Sequence, residues 1–277
     1  MSQTPVEPLE RTGVARLRLP WDSRFNATTL DLHLAEYPGF AFSNPTSGEY
    51  IVGGYWRGRR DIGMIIETSN GRSRGVLVAA LLTRFRTAGL PLAVLSQDEV
   101  DAAGAWYREQ NWTVLDRLLV YRLNLSRLDL THRRPIPASL FQTEDIDLFV
   151  ELDREAFPWL WQNEPADFLA YTASPNVAAF IARQGNRPLG YVSYSVRKDR
   201  GHLDRLAVHP RFAKQGYGSA LLALALKRMQ ECGVREVGLT TQKGNRWAQE
   251  VYRHYGFAMT GEGHDIYGMK LSTLECL

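Results

Sequence analysis

The sequence predicts two α/β domains in tandem, and three observations predict it. The chain has 277 residues, 44% of them hydrophobic and 23% charged, a globular composition long enough for two cores at about 100–200 residues per domain. Each half shows the same order of elements: strands, a glycine-led helix, a strand, a second helix and a final strand. Between the halves, Arg133-Arg134-Pro135-Ile136-Pro137 disfavours both helix and central strand. The expected division is therefore residues 1–125, a linker at 126–136, and residues 137–277.

In the first half, Val14–Leu19 alternates as a strand does, and Thr28–Glu36 reads as a short helix. Pro38-Gly39 and Asn44-Pro45 are turn signals. Tyr50–Trp56 and Ile62–Glu67 are β-rich runs. Gly75–Ala88 carries Leu77, Ala80, Leu81 and Phe85 at the spacing of one buried helix face, and Gly89 ends it. Leu90–Leu95 reads as a buried strand, Asp98–Gln110 as a helix and Trp112–Leu123 as a strand.

In the second half, Thr143 is placed to cap a helix running to about Phe157. Ala178–Ala182 and Leu189–Val196 read as strands joined by the turn Gly185-Asn186-Arg187-Pro188, and Gly201–Val208 as the next strand. Gly218–Gln230 presents Leu221, Leu222, Ala225 and Met229 on one helix face, with Gly233 suited to the left-handed cap. Glu236–Thr241, Arg246–His254 and Ile266–Leu271 follow as strand, helix and final strand. The halves also match in detail: Ala105-Trp106-Tyr107-Arg108-Glu109-Gln110-Asn111-Trp112 aligns with Glu250-Val251-Tyr252-Arg253-His254-Tyr255-Gly256-Phe257, which points to a duplicated domain.

Composition excludes several classes. A net charge of +3 gives no footprint for nucleic acid, and the cluster Arg57, Arg59 and Arg60 reads as a solvated face. The two cysteines, Cys232 and Cys276, form no CxxC pair, so neither a disulfide framework nor a metal site is expected. No signal-peptide core and no apolar run of about 18 residues is present. The expectation is a cytoplasmic protein with no membrane and no nucleic-acid partner, a monomer or homodimer.

Chemistry concentrates in Leu203-Asp204-Arg205-Leu206-Ala207-Val208-His209-Pro210 and the following Lys214-Gln215-Gly216-Tyr217-Gly218-Ser219. A strand ends at a proline, and a glycine-containing loop opens a helix. Free N–H groups at a helix N-terminus form an anion site, and glycines let a phosphate approach. Neither GxxxxGK[ST] nor GxGxxG is present. In this context the segment resembles the GNAT N-acetyltransferase superfamily, whose pattern is Val-x-Pro followed by [QR]-x-x-G-x-[GA]. Val208-His209-Pro210 and Gly216-Tyr217-Gly218 fit, while Ala213 stands where Gln or Arg is expected. The second hallmark, Asn-x-x-Ala-x-x-x-Tyr-x-x-x-Gly-Phe, fits Asn245, Ala248, Tyr252, Gly256 and Phe257. Thr241-Gln242 before the asparagine makes the second half similar to RimI-like members.

The resemblance implies, for each half, a mixed, mostly antiparallel twisted sheet flanked by helices. It implies acetyl-CoA as acyl donor, with the diphosphate on Lys214, Gln215, Gly216, Tyr217, Gly218 and Ser219, the pantetheine along Leu206, Ala207 and Val208, and Asn245 touching the cofactor. It implies direct transfer to an amine acceptor, with Tyr252 as general acid. The base stays open. His202, Asp204 and Leu206 share one strand face by period two, and a histidine oriented by Asp204 suits the role. The alternative is a polar strand in which Asp204 pairs with Arg205 or Arg200. Trp159 and Trp161 are candidates for the acceptor pocket, or for plain packing.

The first half reads as a worn copy. Arg72-Ser73-Arg74-Gly75-Val76-Leu77 stands at the loop position, with Leu77 where Gly or Ala is expected, so weak or no acyl-CoA binding is expected there. Three functions follow: an N-acetyltransferase for a small-molecule primary amine, a RimI-like acetyltransferase of protein N-termini, or a non-catalytic acyl-CoA sensor or scaffold.

Overall fold

A computed structural model describes residues 5–98, 102–131, 135–185 and 187–271. Arg133 and Arg134 of the expected linker, Asn186 of the expected turn, residues 99–101 and Cys276 lie outside the described residues.

In chain order the elements are β1 (Glu7–Pro8), α1 (Ala27–Glu36), β2 (Ala41–Ser43), β3 (Tyr50–Trp56), β4 (Arg59–Thr68), α2 (Arg74–Thr87), β5 (Leu92–Asp98), α3 (Ala102–Glu109), β6 (Thr113–Asn124), β7 (Ala138–Leu140), α4 (Ile146–Ala156), α5 (Pro165–Thr172), β8 (Val177–Gln184), β9 (Arg187–Arg197), β10 (Arg200–Val208), α6 (Tyr217–Glu231), β11 (Glu236–Gln242), α7 (Arg246–His254) and β12 (Ala258–Lys270). Two compact units form, one from residues up to Asp116 together with those from His264 onward, the other from Arg117–Gly263. The division falls at these points and not at residues 126–136. The last strand of each repeat is shared out accordingly: most of β6 belongs to the second unit, and the end of β12 to the first.

In the first unit the strands run β1-β2-β3-β4-β5-β12. All neighbours are antiparallel except β4 and β5. Helix α2 buries Leu77, Val78, Leu81 and Phe85 against this sheet. Gly63 of β4 lies directly beneath Phe85, where a Cβ would collide with the ring. Val14–Leu19 is not a strand. Arg11–Arg16 forms a 3-10 turn, because Val14 finds its cover in Leu9, Leu30 and Leu34 and has no ladder to join.

In the second unit the order is β6-β11-β10-β9-β8-β7, again with one parallel pair, β10 and β11. One face carries α6 and α7, whose Leu221, Leu222, Leu226, Met229, Tyr252 and Tyr255 pack with Leu203 and Leu239. The other carries α4 and α5, whose Phe149, Leu152 and Phe168 pack with Ile181, Tyr191 and Ala207. Thr143 does not cap α4. It opens a 3-10 turn, and Gln142 and Asp145 make the reciprocal cap. The sequence reading also lacked α5 and started β12 eight residues late, at Ile266. Neither segment carries a strong apolar pattern: α5 buries only Phe168, and the first five residues of β12 are exposed.

The repeat holds in geometry. Asn111 and Gly256 both take left-handed backbone, with φ of +64° and +86°. Trp112 and Phe257 both donate their N–H to the matching tyrosine carbonyl, at 3.0 and 3.1 Å. Tyr107 and Tyr252 are both buried.

Candidate active site

The second unit's parallel pair defines a slot. Strands β10 and β11 pair only from Arg200↔Glu236 to Leu203↔Leu239. Beyond that, β10 continues to Val208 on β9, and β11 to Gln242 on β6. The separation begins where the β9 register shifts between Leu203 and Arg205, leaving Asp204 as a bulge. Bulges re-aim side chains and end pairing. Between the diverging strands, the facing backbone groups of Leu206–Val208 and Thr240–Gln242 have no partner on each other, which is the place for an extended chain to add.

The bulge corrects one expectation. Leu206 does not share a face with His202 and Asp204. It packs with Leu203 on the α6 side, whereas Asp204 accepts from the Tyr171 hydroxyl of α5 at 2.5 Å. One extra residue breaks the period of two.

His202 and Asp204 are brought together, Nδ1 to Oδ1 at 2.8 Å. Ser195 Oγ also reaches Oδ1, at 3.2 Å. An ionised carboxylate only accepts, so Nδ1 carries the hydrogen, and in a neutral ring that leaves the lone pair on Nε2. The phenol of Tyr171 is pushed up, first by burial and then by the Asp204 charge, so it stays a donor to Asp204. The alternative pairing of Asp204 with Arg205 does not occur. The Arg205 Nε donates to Asp153 at 2.6 Å and to the Tyr191 hydroxyl at 2.9 Å, and its Nη2 donates to the Trp161 carbonyl at 2.5 Å. Asp153 is fully buried, and it also accepts from Tyr191 at 2.5 Å and from the Asn163 N–H at 2.8 Å. Trp161 is thus a buried part of this clamp, whereas Trp159 is about half exposed.

Beyond the end of β10 the chain turns into the start of α6. Lys214 and Gly216 take left-handed backbone, with φ of +61° and +84°. Gly216 is the N-cap and has no side chain to offer, and the first helical bond is Ala220 N–H to the Gly216 carbonyl, at 3.0 Å. The N–H groups of Tyr217, Gly218 and Ser219 therefore lack helical acceptors and carry the positive end of the dipole. A Cβ on Gly216 would meet open space, and one on Gly218 only Val208 Cγ2 at 3.5 Å. A cavity of about 220 Å³ borders Gly216, Tyr217, Arg183 and Gln184. This end fits a diphosphate. Ser219 Oγ lies 3.0 Å from the Tyr255 hydroxyl, which donates to the Ser219 carbonyl at 2.7 Å, locking α7 to the start of α6. The Lys214 ammonium sits over the Trp247 ring at 4.3 Å, a contact that gives the loop a cation Ala213 does not supply. The Asn245 side-chain oxygen accepts from Ala248 N–H at 3.2 Å and caps α7.

Tyr252 lies on the α6–α7 face, in core contact with Tyr121 and Phe257. Burial pushes its phenol well above the usual range. Tyr171, Asp153, Arg205 and Trp247 were missed from sequence. Tyr171 had no motif to mark it, and the Asp153–Arg205 pair spans 52 positions. A larger cavity, about 560 Å³, is lined by Leu128–Thr131, Pro135, Ile136 and α6, and shares Pro135, Ile136 and Ala220 with the smaller one. It holds none of these groups.

Residues 146–257 of the chain, all within the second unit, match the acetyltransferase (GNAT) family. The chain is 26% identical over 148 residues to N-alpha-acetyltransferase MAK3 of Arabidopsis thaliana, covering 53% of this chain and 73% of that one. It is 27% identical over 146 residues to an N-alpha-acetyltransferase of Sulfurisphaera tokodaii, covering 45% and 86%. Among solved structures, a tandem GNAT protein from the clavulanic acid biosynthesis pathway shares the fold over 96% of this chain and 98% of its own, with a TM-score of 0.62 at 14% identity. Two GNAT folds in one chain, as the repeat predicts, are therefore in place. Among the described residues no helix is long and apolar enough to cross a membrane, and no group of three or more metal-ligating side chains occurs.

Proposed function

We propose that the second unit transfers an acetyl group from acetyl-CoA to a primary amine by direct attack in a ternary complex. The observation that carries this is the slot opened by the Asp204 bulge, leading to the uncapped start of α6. Acetyl-CoA, when bound, supplies the activated acetyl thioester. Backbone N–H groups of Gln215–Ser219, with Lys214, hold the diphosphate. The open edge of Leu206–Val208 aligns the pantetheine arm as an added strand, with Asn245 at its side. His202, oriented by Asp204, takes the amine proton on Nε2. Tyr252 donates its phenol proton to the departing sulfur, and its raised pKa keeps that proton in place. Asp204 with His202 lies on the α4–α5 face and Tyr252 on the α6–α7 face, so base and acid act from opposite faces of the sheet.

The acceptor has two readings. The sequence favours a small-molecule primary amine walled by Trp159. The names of the two relatives favour an α-amino group at a polypeptide N-terminus. Thiol release from acetyl-CoA is measured with free primary amines and with short peptides of free N-terminus, and the larger kcat/KM decides between them. Cofactor binding is tested first, by calorimetric titration of acetyl-CoA with Gly218→Trp as control. One site, lost in the control, supports the reading. No binding to the unsubstituted chain overturns it and leaves the scaffold reading without its ligand too.

A further inference from the structure

Glu49 already occupies the first unit's counterpart of the phosphate loop. The counterpart is fixed by element order: Ser73 is the N-cap of α2 as Gly216 is of α6, so Gly71 and Gly75 answer to Lys214 and Gly218. This alignment moves Leu77 off the phosphate position. It stands where Ala220 does and is wholly buried in the core, so it is not what closes the loop.

At the loop itself, Ser73 N–H donates to Glu49 Oε2 at 2.7 Å. Gly71 lies hard against the same carboxylate, where a Cβ would collide with it. Asn44, itself buried, donates from Nδ2 to Ser73 Oγ at 2.8 Å. Both residues come from the connection between β2 and β3, which runs from Asn44 to Glu49 and is closed by Gly48 N–H to the Asn44 carbonyl, at 2.9 Å, and Asn44 N–H to the Glu49 carbonyl, at 2.8 Å. The corresponding connection in the second unit, between β8 and β9, has two residues. It leaves the 220 Å³ cavity beside Gly216 and Tyr217.

The backbone differs in the same sense. Ser73 has φ of −83° where Gly216 has +84°, and neither Gly71 nor Ser73 is left-handed. A helix N-terminus favours a negative group, and here the chain provides its own. We propose that Glu49 is the resident anion of the first unit's loop, excluding the diphosphate of a coenzyme A ester from that unit, so that the second unit holds the one cofactor of the chain. This rests on the reading of the second unit as the cofactor site.

The test uses the full chain. Acetyl-CoA titration is expected to give one site, and none in Gly218→Trp. Glu49→Ala leaves the Ser73 N–H facing an empty place, so this variant melts below the parent. Millimolar inorganic phosphate, at constant ionic strength, restores much of the difference, while the parent and Glu49→Gln are unmoved by phosphate. Two sites in the parent, or a site surviving in Gly218→Trp, overturn the inference while the acetyltransferase reading stands. A Glu49→Ala variant that folds and ignores phosphate also overturns it. Should Glu49→Ala not fold, the stoichiometry in the parent and in Gly218→Trp decides alone. No acetyl-CoA bound by the parent is the separate failure of the cofactor reading.

Discussion

Asp153→Ala should be among the most destabilising single changes in the second unit. Asp153 is fully buried, and its partner Arg205 has a side chain only 9% exposed. The guanidinium stays charged in any protein environment. Removing the carboxylate strands that cation, at a cost of about 3–5 kcal/mol. The Asn163 N–H loses its acceptor as well, and a buried unsatisfied donor adds about 1–3 kcal/mol. The sum is comparable with the whole stability of many domains, about 5–15 kcal/mol. Urea unfolding followed by circular dichroism reads the loss as a lower midpoint. The cycle is completed with Arg205→Met and the double variant Asp153→Leu/Arg205→Met. The double change removes both charges and should cost less than Asp153→Ala alone. A loss below about 1 kcal/mol for Asp153→Ala, or simple additivity in the cycle, would show that the pair is not coupled as the distances of 2.5–2.9 Å imply.

Other outcomes follow from the site. Tyr252→Phe should lower kcat about 10²–10⁴-fold, the range for a positioned acid, while acetyl-CoA affinity by calorimetry stays within about twofold; equal loss of both would mark Tyr252 as packing alone. Asp204→Asn removes the negative charge and puts an NH2 donor in place of one oxygen, so the His202 tautomer is no longer fixed; kcat/KM should fall with the cofactor Kd unchanged, whereas an unaffected rate would remove the pair from the chemistry. Stability should fall at high pH. Burial raises the phenols of Tyr191 and Tyr252 in the folded state, so the unfolded chain ionises first, and stability that is complete below about pH 10 is lost as pH rises. Each such tyrosine contributes a slope of about 1.4 kcal/mol per pH unit, and an unfolding midpoint flat from pH 9 to 11 would contradict this.

The candidate phosphate loop is legible in the sequence because its pattern is local. Val208-His209-Pro210 and Gly216-Tyr217-Gly218 lie within eleven positions, and a strand ending at proline before a glycine-opened helix suits an anion at that spacing. Asn245, Tyr252, Gly256 and Phe257 were legible for the same reason, and the left-handed φ of Gly256 explains why a glycine suits the place, as Asn111 does in the first repeat. What escaped was set by partners distant in sequence. The bulge at Asp204 depends on how β10 registers with β9, and no local pattern in Leu203–Leu206 announces an extra residue. The pattern in fact misled, since a strict alternation put Leu206 beside His202. Arg205 was read as a neighbour for Asp204, yet low dielectric rewards the partner that can surround it completely, and Asp153, Tyr191 and the Trp161 carbonyl do so. The sequence places the wear of the first half on Leu77, whereas the side chain in contact with the loop is Glu49. Leu77 differs from the family pattern in sequence, but Glu49 differs in charge at the point of contact, and that contact is visible only when the β2–β3 connection is seen to fold over the loop. Sequence comparison of a duplicated fold therefore finds which copy has drifted more readily than it finds the atom in contact with its loop.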